Sequence, residues 1–482
     1  MPRAENTHLL GKNSDYRTDP ANPSTYGVKP YGPSIALAMG LNYVIGTGCF
    51  GLPYAFKEAG IFLSLSLMLV GVAGAVITMN YTLESLARAE GVCAATRGGG
   101  PLHQLTYRKF DFATIGEMFA GKFGTIAVQL VLILYGIGAL WSYASVFASS
   151  MASLFYSYVM GDSCDVYGLS QSSGCMNAYY VFMAVFSVIT ISMVLLDISE
   201  QASIQKFLSI YRVVALVLML VTMIIKIAVD GFDVLEARYN HVGAFNWSNF
   251  GKGFGPTLLA LNCQYNMPDV LQPLNPKSSA RRVAIGALLT AGSFYLLVGL
   301  LGALSFDEIN PLASLMWSNY TGCGNGWGDC GGSTNVWGII VQLVILIFPV
   351  VNVTSTYPMV GVTVGDNMLM SMPKSVTAPF GIAFARSGCR LLAAVPPLVL
   401  AMVFKKLDLI FAISGLFGFL LGLSIPCWFQ VVGSRYCQRV WGFSGASITP
   451  FTQTWISSIP FASTYLVITF GILGVAIATL NG

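Results

Sequence analysis

The sequence predicts an all-α polytopic membrane protein with eleven transmembrane helices. Three observations predict this class: few charges, repeated apolar runs of membrane-spanning length, and an uneven distribution of Lys and Arg between alternate loops. Of the 482 residues, 55% are hydrophobic and 10% are charged, whereas soluble domains carry about 25% charged residues. A large soluble core cannot explain that deficit, so most of the surface must face lipid.

The apolar runs give the individual spans. Six of them are almost free of charge and long enough to cross the hydrocarbon core of a bilayer, namely 61–83, 125–151, 178–196, 283–305, 336–364 and 456–480. Five further apolar segments are interrupted by polar residues or end in charges, and they centre on Ile35, Phe207, Pro256, Leu391 and Leu409. Together these segments give eleven spans.

The placement of Lys and Arg predicts the orientation of these spans. With a cytosolic N-terminus, nineteen of the 25 Lys and Arg residues lie on the cytosolic side and six lie outside, as the positive-inside rule requires. Eleven spans then place the C-terminus in the extracellular or lumenal space. Residues 1–33 are polar and contain no signal peptide, so we expect a disordered cytosolic tail before a membrane domain at 34–482.

Two kinds of residue in the predicted outer loops agree with this orientation. Cys164, Cys175, Cys323 and Cys330 lie in outward loops, where an oxidising compartment permits disulfides. Four cysteines allow three pairings, and the sequence leaves the choice open. Asn246 and Asn319 begin glycosylation sequons on the same side.

The first span contains an unusual concentration of helix-breaking residues. Gly46, Gly48, Gly51 and Pro53 fall within eight residues of an apolar segment. Glycine permits non-helical dihedral angles and proline removes a backbone donor. Unwound backbone at membrane depth is tolerated only where it is buried in protein or lines a watery cavity, so the first span is predicted to unwind beside a cavity.

The sixth span is predicted to break as well, because Asn262, Gln264 and Asn266 precede Pro268. Two broken spans separated by five are typical of inverted-repeat transporters. The predicted repeats cover about 34–230 and 250–432, and an eleventh helix covers about 455–480. The alternative is that these residues only pack small helix contacts and kink the helices.

The predicted breaks suggest a substrate. Free N–H groups of a half-helix attract an anion, whereas unwound carbonyls attract a cation, so a zwitterion suits both. We expect a small amino acid, with its carboxylate at the first break and its ammonium at the second. The candidate binding residues are Ile45, Gly46, Thr47, Gly48, Cys49 and Gly51, together with Cys263, Gln264 and Asn266.

Other chemistries are disfavoured. The pattern Gly46-x-Gly48-x-x-Gly51 matches a dinucleotide fingerprint, but that motif follows a strand in a soluble unit. The three histidines lie in the tail or loops, and no basic run suggests nucleic acid. We expect neither an enzyme nor a cofactor or metal site, and the expected partners are an amino acid and the lipid bilayer. Arg212 and Lys226 are expected to extend their charges to the membrane surface.

The sequence resembles the amino acid/auxin permease family of the amino acid-polyamine-organocation superfamily over nearly all its membrane region. The motifs that carry the resemblance are Asn42-x-x-x-Gly46-Thr47-Gly48 with Leu52-Pro53, Ile115-Gly116-Glu117, Cys263-Gln264 with Pro268, and Phe348-Pro349-Val350 with Tyr357-Pro358. The resemblance implies a LeuT-like fold of two inverted five-helix repeats plus an eleventh helix. It also implies amino acid transport by alternating access, driven by sodium or protons.

The same resemblance implies a cation site at Asn42 on the first helix and Gln342 on the eighth. Gln342 stands where sodium-coupled members have a hydroxyl residue, and Gln264 stands where many relatives have histidine. A non-transporting amino acid sensor is the alternative function, and a channel is a third. The plasma membrane and an endolysosomal or vacuolar membrane both remain open as the location.

Overall fold

The computed structural model describes residues 22–23, 28–95, 103–160, 164–167, 173–195, 202–331, 335–372 and 381–479. We number its helices along the chain. The first half contains α1 (Pro33–Val44), α2 (Leu52–Ala59), α3 (Ile61–Ala95), α4 (Phe112–Phe155), α5 (Ser173–Leu195), α6 (Ala202–Asp230) and α7 (Phe232–Val242). The second half contains α8 (Phe250–Leu261), α9 (Met267–Leu271), α10 (Ala280–Ser305), α11 (Val336–Ser371), α12 (Ile382–Val403), α13 (Leu407–Phe419), α14 (Ile425–Trp441) and α15 (Ile459–Ala478).

The helices confirm a multi-pass membrane protein. In the described part of the chain, nine helices are long and apolar enough to cross a membrane, counting α13 and α14 as one. α1 and α2, bent by 50° at a short break, together form a tenth candidate. The predicted sixth span corresponds to α8 and α9, which are separated by five residues.

Local chemistry explains several helix ends. The Asp111 side chain accepts a hydrogen bond from the Thr114 amide at 2.7 Å and begins α4, which satisfies one of the donors that a helix start leaves open. α14 ends at Trp441 and is followed by Gly442, whose φ of 79° is left-handed, as is usual for glycine after a helix. A π-helical turn, Leu420–Ser424, joins α13 to α14.

Glycines allow α8 to lie very close to α13. A Cβ atom at Gly255 would lie 2.3 Å from the Cα of Ala412, and a Cβ at Gly415 would lie 2.0 Å from the carbonyl oxygen of Gly255. Such close approach of backbones is typical of helix packing in membranes, where small residues form the interfaces. α2 and α3 pack against α8, and α4 packs against α13, so the first half of the predicted sixth span lies in the interior.

The regions predicted to lie outside contain two disulfides, Cys164–Cys175 and Cys323–Cys330. This selects one of the three pairings that the sequence left open. Lys226 lies nearby, and its ammonium reaches toward Asp230, the last residue of α6. It is 7% exposed and forms an ion pair with Asp230 at 3.2 Å, over the ring of Trp327.

The predicted disordered tail, 1–33, lies outside the described residues at 1–21 and 24–27. Its last residues are bound to the loop after α9. The Tyr31 amide donates to the Pro273 carbonyl at 3.0 Å, and the Asn275 amide donates to the Tyr31 carbonyl at 2.9 Å. The Tyr31 hydroxyl donates to the Val270 carbonyl at 2.7 Å. The segment leading into α1 is therefore attached to α9.

Candidate functional site

The first helix break separates α1 from α2. α1 ends at Val44, and Gly46 is extended, with φ −111° and ψ −162°. A 3₁₀ turn over Thr47–Gly51 then leads into α2, whose second residue is Pro53. The first N–H groups of a helix have no partner within it, so this turn presents a partly positive end beside Gly46.

The second break repeats the same order of parts. α8 ends at Leu261, two non-helical residues follow, a 3₁₀ turn covers Gln264–Asn266, and α9 has Pro268 as its second residue. Proline at a helix start costs no internal hydrogen bond. The first break touches the last turn of α8, because a Cβ atom at Gly48 would lie 2.7 Å from the amide nitrogen of Ala260.

A cavity of about 790 Å³ lies beside both breaks. It is bounded by α1, α4, the α8–α9 break and the second half of α11. Apolar and aromatic side chains line it together with a few polar groups, as is usual for a small-molecule site. Its lining includes Asn42, Tyr43, Ile45, Gly46, Gly48, Leu132, Tyr135, Tyr143, Leu259, Asn262, Tyr265, Asn266, Asp269, Thr356 and Met359.

The structure brings four of the predicted binding residues to this cavity. Ile45, Gly46 and Gly48 line it from the first break, and Asn266 lines it from the second. The backbone of Thr47 begins the 3₁₀ turn, and its side chain lies outside the described ones. The backbone of the first break is therefore exposed to the cavity, as expected for a half-helix that binds an anion.

Three other predicted binding residues are buried outside the cavity lining. The Cys49 thiol donates to the Gly46 carbonyl at 3.1 Å, and Cys263 is fully buried. Gly51 packs against α13, since a Cβ atom there would lie 2.7 Å from the ring of Phe411. These residues shape the breaks through packing.

Gln264 also points away from the cavity. It is 1% exposed, and its amide donates to the Thr78 hydroxyl at 3.1 Å. Its oxygen accepts from the Cys263 amide at 3.0 Å. The side chain thus ties the second break to α3, and both ends of its amide have partners.

The two residues of the predicted cation site are not brought together. Asn42 lines the cavity, whereas Gln342 is not among the lining residues. The Gln342 oxygen accepts from the Tyr158 hydroxyl at 2.5 Å, and its amide donates to the Ser318 carbonyl. Gln342 is therefore held against Tyr158, just after the C-terminal end of α4, and against the loop before α11.

Arg212 was missed as a site residue, and the expectation that it extends to the membrane surface is wrong. It is 2% exposed, and its Nη1 donates to the Asn42 carbonyl at 2.6 Å. Nε and Nη2 have no hydrogen-bond partner among the described residues. The available signal was position, because an ionisable residue inside a span is by default a functional candidate.

Several other cavity residues were not singled out from the sequence. Tyr143 and Tyr265 line the cavity, whereas Trp141 packs edge-on against Phe404. Asn262, the first non-helical residue after α8, lines the cavity and is 6% exposed. The sequence showed Asn262 as part of a polar cluster but gave no indication of which amide faces the cavity.

Charges lie at the α9 end of the cavity. Asp269 lines it and forms an exposed ion pair with Lys109 at 2.5 Å. Tyr31 lies outside the spans in the same region, and its pKa is raised to about 12, first by burial and then by the negative charge of Asp269. The Tyr31 hydroxyl is therefore neutral at physiological pH and can donate to α9.

Comparison with known proteins gives a consistent result. Residues 32–435 match the family described as Transmembrane amino acid transporter protein. The chain is 23% identical over 369 residues to the Transmembrane protein 104 homolog of Caenorhabditis elegans, covering 72% of this chain and 70% of the relative. It is 21% identical over 489 residues to Transmembrane protein 104 of Mus musculus, covering 89% of this chain and 93% of the relative.

Among solved structures, the fold is similar to that of MhsT, crystallised in complex with L-phenylalanine. The TM-score is 0.59 at 13% sequence identity, and the alignment covers 94% of this chain and 100% of MhsT. This likeness supports a LeuT-like fold.

Proposed function

Because this chain belongs to the transmembrane amino acid transporter family, we propose that it moves amino acids across a membrane by alternating access. One observation carries the proposal: both helix breaks meet beside the same cavity of about 790 Å³. The α1–α2 and α8–α9 pairs count as two broken spans, which brings the total to eleven. The matching order of parts in the two breaks supports two inverted five-helix repeats and an eleventh helix, α15.

The substrate is proposed to lie between the breaks. Its carboxylate accepts hydrogen bonds from the N–H groups at the start of the 3₁₀ turn beside Gly46 and Gly48, where the helix end is partly positive. Its ammonium lies near the last carbonyls of α8, which are partly negative. The crystallised complex of MhsT with L-phenylalanine supports an amino acid as the ligand class.

The cavity lies on the α1 and α9 side of the breaks, where the charge distribution predicts the cytosol. We therefore interpret the conformation as inward-facing. In this orientation the N-terminus is cytosolic, the C-terminus is extracellular or lumenal, and glycans attach at Asn246 and Asn319. A plasma membrane or an endolysosomal or vacuolar membrane fits this arrangement.

The position of Arg212 indicates which ion drives transport. Its guanidinium donates to the Asn42 carbonyl, at the end of α1 where unwound carbonyls would otherwise attract a cation. A fixed positive charge beside these carbonyls opposes binding of a sodium ion. We propose that transport is independent of sodium, which leaves a proton as the candidate coupling ion.

Uptake of radiolabelled amino acids into proteoliposomes tests both parts of the proposal. We expect saturable uptake that is unchanged when external sodium is replaced by choline, and the same vesicles are then measured with an inward proton gradient. Binding without uptake would favour the amino acid sensor over the transporter. Sodium-dependent uptake would contradict the role given to Arg212 while leaving the transporter intact.

A further inference from the structure

Four tyrosines line the main cavity, and they form two pairs. The Tyr135 hydroxyl is hydrogen-bonded to the Asn262 amide and to the Tyr265 hydroxyl, and the two rings meet edge-on with centroids 5.5 Å apart. The hydroxyls of Tyr43 and Tyr143 form no hydrogen bond with another described residue. Hydroxyls enclosed in a protein nearly always have partners, so these two are available to a ligand in the cavity.

The position of Tyr143 associates it with the first break. Tyr143 lies about 12 Å further along α4 than Tyr135, because a helix rises about 1.5 Å per residue. α4 packs against the 3₁₀ turn of the first break, and Tyr143 shares the cavity lining with Gly46 and Gly48 of that break. Tyr143 therefore adds a side-chain donor to the cavity that the backbone of the break faces.

Charges of opposite sign act on the two hydroxyls without protein partners. The Tyr143 hydroxyl lies within electrostatic range of Arg212, which is 2% exposed and donates to the Asn42 carbonyl. The Tyr43 hydroxyl lies within range of Asp269, at the α9 end of the cavity. Charges are weakly screened where water is excluded. An anionic group of a ligand is therefore more favourable beside Tyr143 than beside Tyr43.

We propose that the Tyr143 hydroxyl donates a hydrogen bond to the α-carboxylate of the substrate and so favours ligands that carry this group. A tyrosine hydroxyl can donate or accept. The charge of Arg212 favours donation, because an ammonium group beside Tyr143 would face a like charge. The proposal rests on the transporter function above, and it adds a side chain to a carboxylate site that otherwise consists of backbone N–H groups.

Equilibrium binding to the purified protein tests this contact separately from transport. Binding of the proteinogenic L-amino acids is measured first, and the one that binds most tightly is compared with its own α-amide, in which a neutral carboxamide replaces the carboxylate. In Tyr143→Phe we expect the amino acid to bind about tenfold more weakly, because a charge-assisted hydrogen bond is lost. The amide should lose less affinity, because its bond to the hydroxyl is between neutral groups.

Two further variants are matched controls, since each also removes only a hydroxyl group. Tyr43→Phe removes the other cavity hydroxyl without a protein partner, and it should leave the ratio of the two affinities unchanged. Tyr180→Phe changes an exposed residue outside the cavity lining and keeps the ring that contacts Lys405, so it should bind like the wild type. Thermal unfolding of Tyr143→Phe should also match the wild type, because no hydrogen bond to another described residue is lost.

The outcomes separate the contact from the transporter function. Unchanged binding of the amino acid in Tyr143→Phe, or an equal loss for the amino acid and its amide, would overturn the carboxylate contact and leave the transporter intact. A reduced preference for the carboxylate in Tyr143→Phe, combined with no uptake by the wild type in proteoliposomes, would overturn transport but support the contact. Absence of binding by any amino acid would overturn both.

Discussion

Two arginines are buried in the helical bundle, and their surroundings differ. Arg88, on α3, is 1% exposed, and all three of its guanidinium nitrogens have partners. They donate to Glu84 at 2.5 Å, to the Gln430 side chain at 2.7 Å and to the Ser447 carbonyl at 2.9 Å. Arg212, on α6, is 2% exposed and donates a hydrogen bond to the Asn42 carbonyl.

The Arg88 region is a completed network. Glu84 is fully buried and also accepts hydrogen bonds from Asn80, Thr452 and Ser457. These contacts join α3 to α14 and to the loop before α15. Because the two charges are paired and every guanidinium nitrogen of Arg88 has a partner, the network holds helices together.

The Arg212 guanidinium has fewer hydrogen-bond partners than that of Arg88. Two of its guanidinium nitrogens lack partners among the residues that the structure describes, and the one bond formed is to the backbone of a broken helix. A buried charge without a counter-ion is costly, and such a cost persists in proteins mainly where function requires it. We infer that a buried charge whose groups all have partners is structural, whereas one with groups lacking partners is functional.

The largest expected effect comes from breaking the completed network. Arg88→Met leaves the Glu84 carboxylate buried and uncompensated, so the free energy of unfolding should fall by about 3–5 kcal/mol. Thermal unfolding in detergent measures the change. The double variant Arg88→Met with Glu84→Gln removes both charges and should recover part of the loss; a single variant as stable as the wild type would refute the structural role.

The opposite pattern is expected at Arg212. Arg212→Met removes a poorly compensated charge and keeps the volume, so stability should change little or rise. Substrate binding should weaken by about 30-fold, equivalent to ~2 kcal/mol, because the charge-assisted bond that holds the Asn42 carbonyl beside the first break is lost. Arg212→Lys keeps the charge and serves as the control. Unfolding of Arg212→Met at a much lower temperature would make Arg212 a structural residue like Arg88.

The same contrast explains what the sequence could predict. The break in the first span follows from Gly46, Gly48, Gly51 and Pro53, because the dihedral freedom of glycine and the missing donor of proline are local properties. The hydrogen-bond partner of Arg212, in contrast, depends on which helix lies opposite it in the fold. Nothing in the sequence near residue 212 indicates that the Asn42 carbonyl is its partner.

At the second break, too, the sequence predicted the unwound segment but not the contacts of its side chains. Its polar cluster and Pro268 located the unwound segment correctly, but the sequence named Gln264 as a binding residue and did not single out Asn262. Gln264 turns toward Thr78 on α3, whereas Asn262 lines the cavity. Which amide faces the cavity is decided by the backbone angles of two non-helical residues and by the packing of α3 and α13.

Two glycines of the first break differ in the same way, since one is tightly packed and the other faces the cavity. Gly48→Ala would place a Cβ atom 2.7 Å from the Ala260 nitrogen, so overpacking should reduce stability by about 1.5 kcal/mol. At Gly46 the nearest atom is the Val44 carbonyl oxygen at 4.0 Å, so Gly46→Ala should fold normally.

Uptake kinetics then separate the two variants. Gly46→Ala adds a methyl group to the cavity wall where the substrate carboxylate is proposed to bind, so its KM should rise while its unfolding temperature matches the wild type. Gly48→Ala should lower the unfolding temperature first. Unchanged KM in Gly46→Ala would move the carboxylate away from the first break.

The smallest effect is expected where an ion pair is open to solvent. Lys109 and Asp269 are 2.5 Å apart, but their side chains are 50% and 41% exposed, and exposed pairs contribute about 0–1 kcal/mol. Lys109→Ala should therefore leave the unfolding temperature almost unchanged, in contrast to Arg88→Met. Its effect on uptake should depend on ionic strength, because the Asp269 charge at the cavity then acts on substrate entry without its partner and is screened by salt. If Lys109→Ala lost as much stability as Arg88→Met, solvent exposure would not predict which charges stabilise the helical bundle. The number of hydrogen-bond partners would then not predict it either.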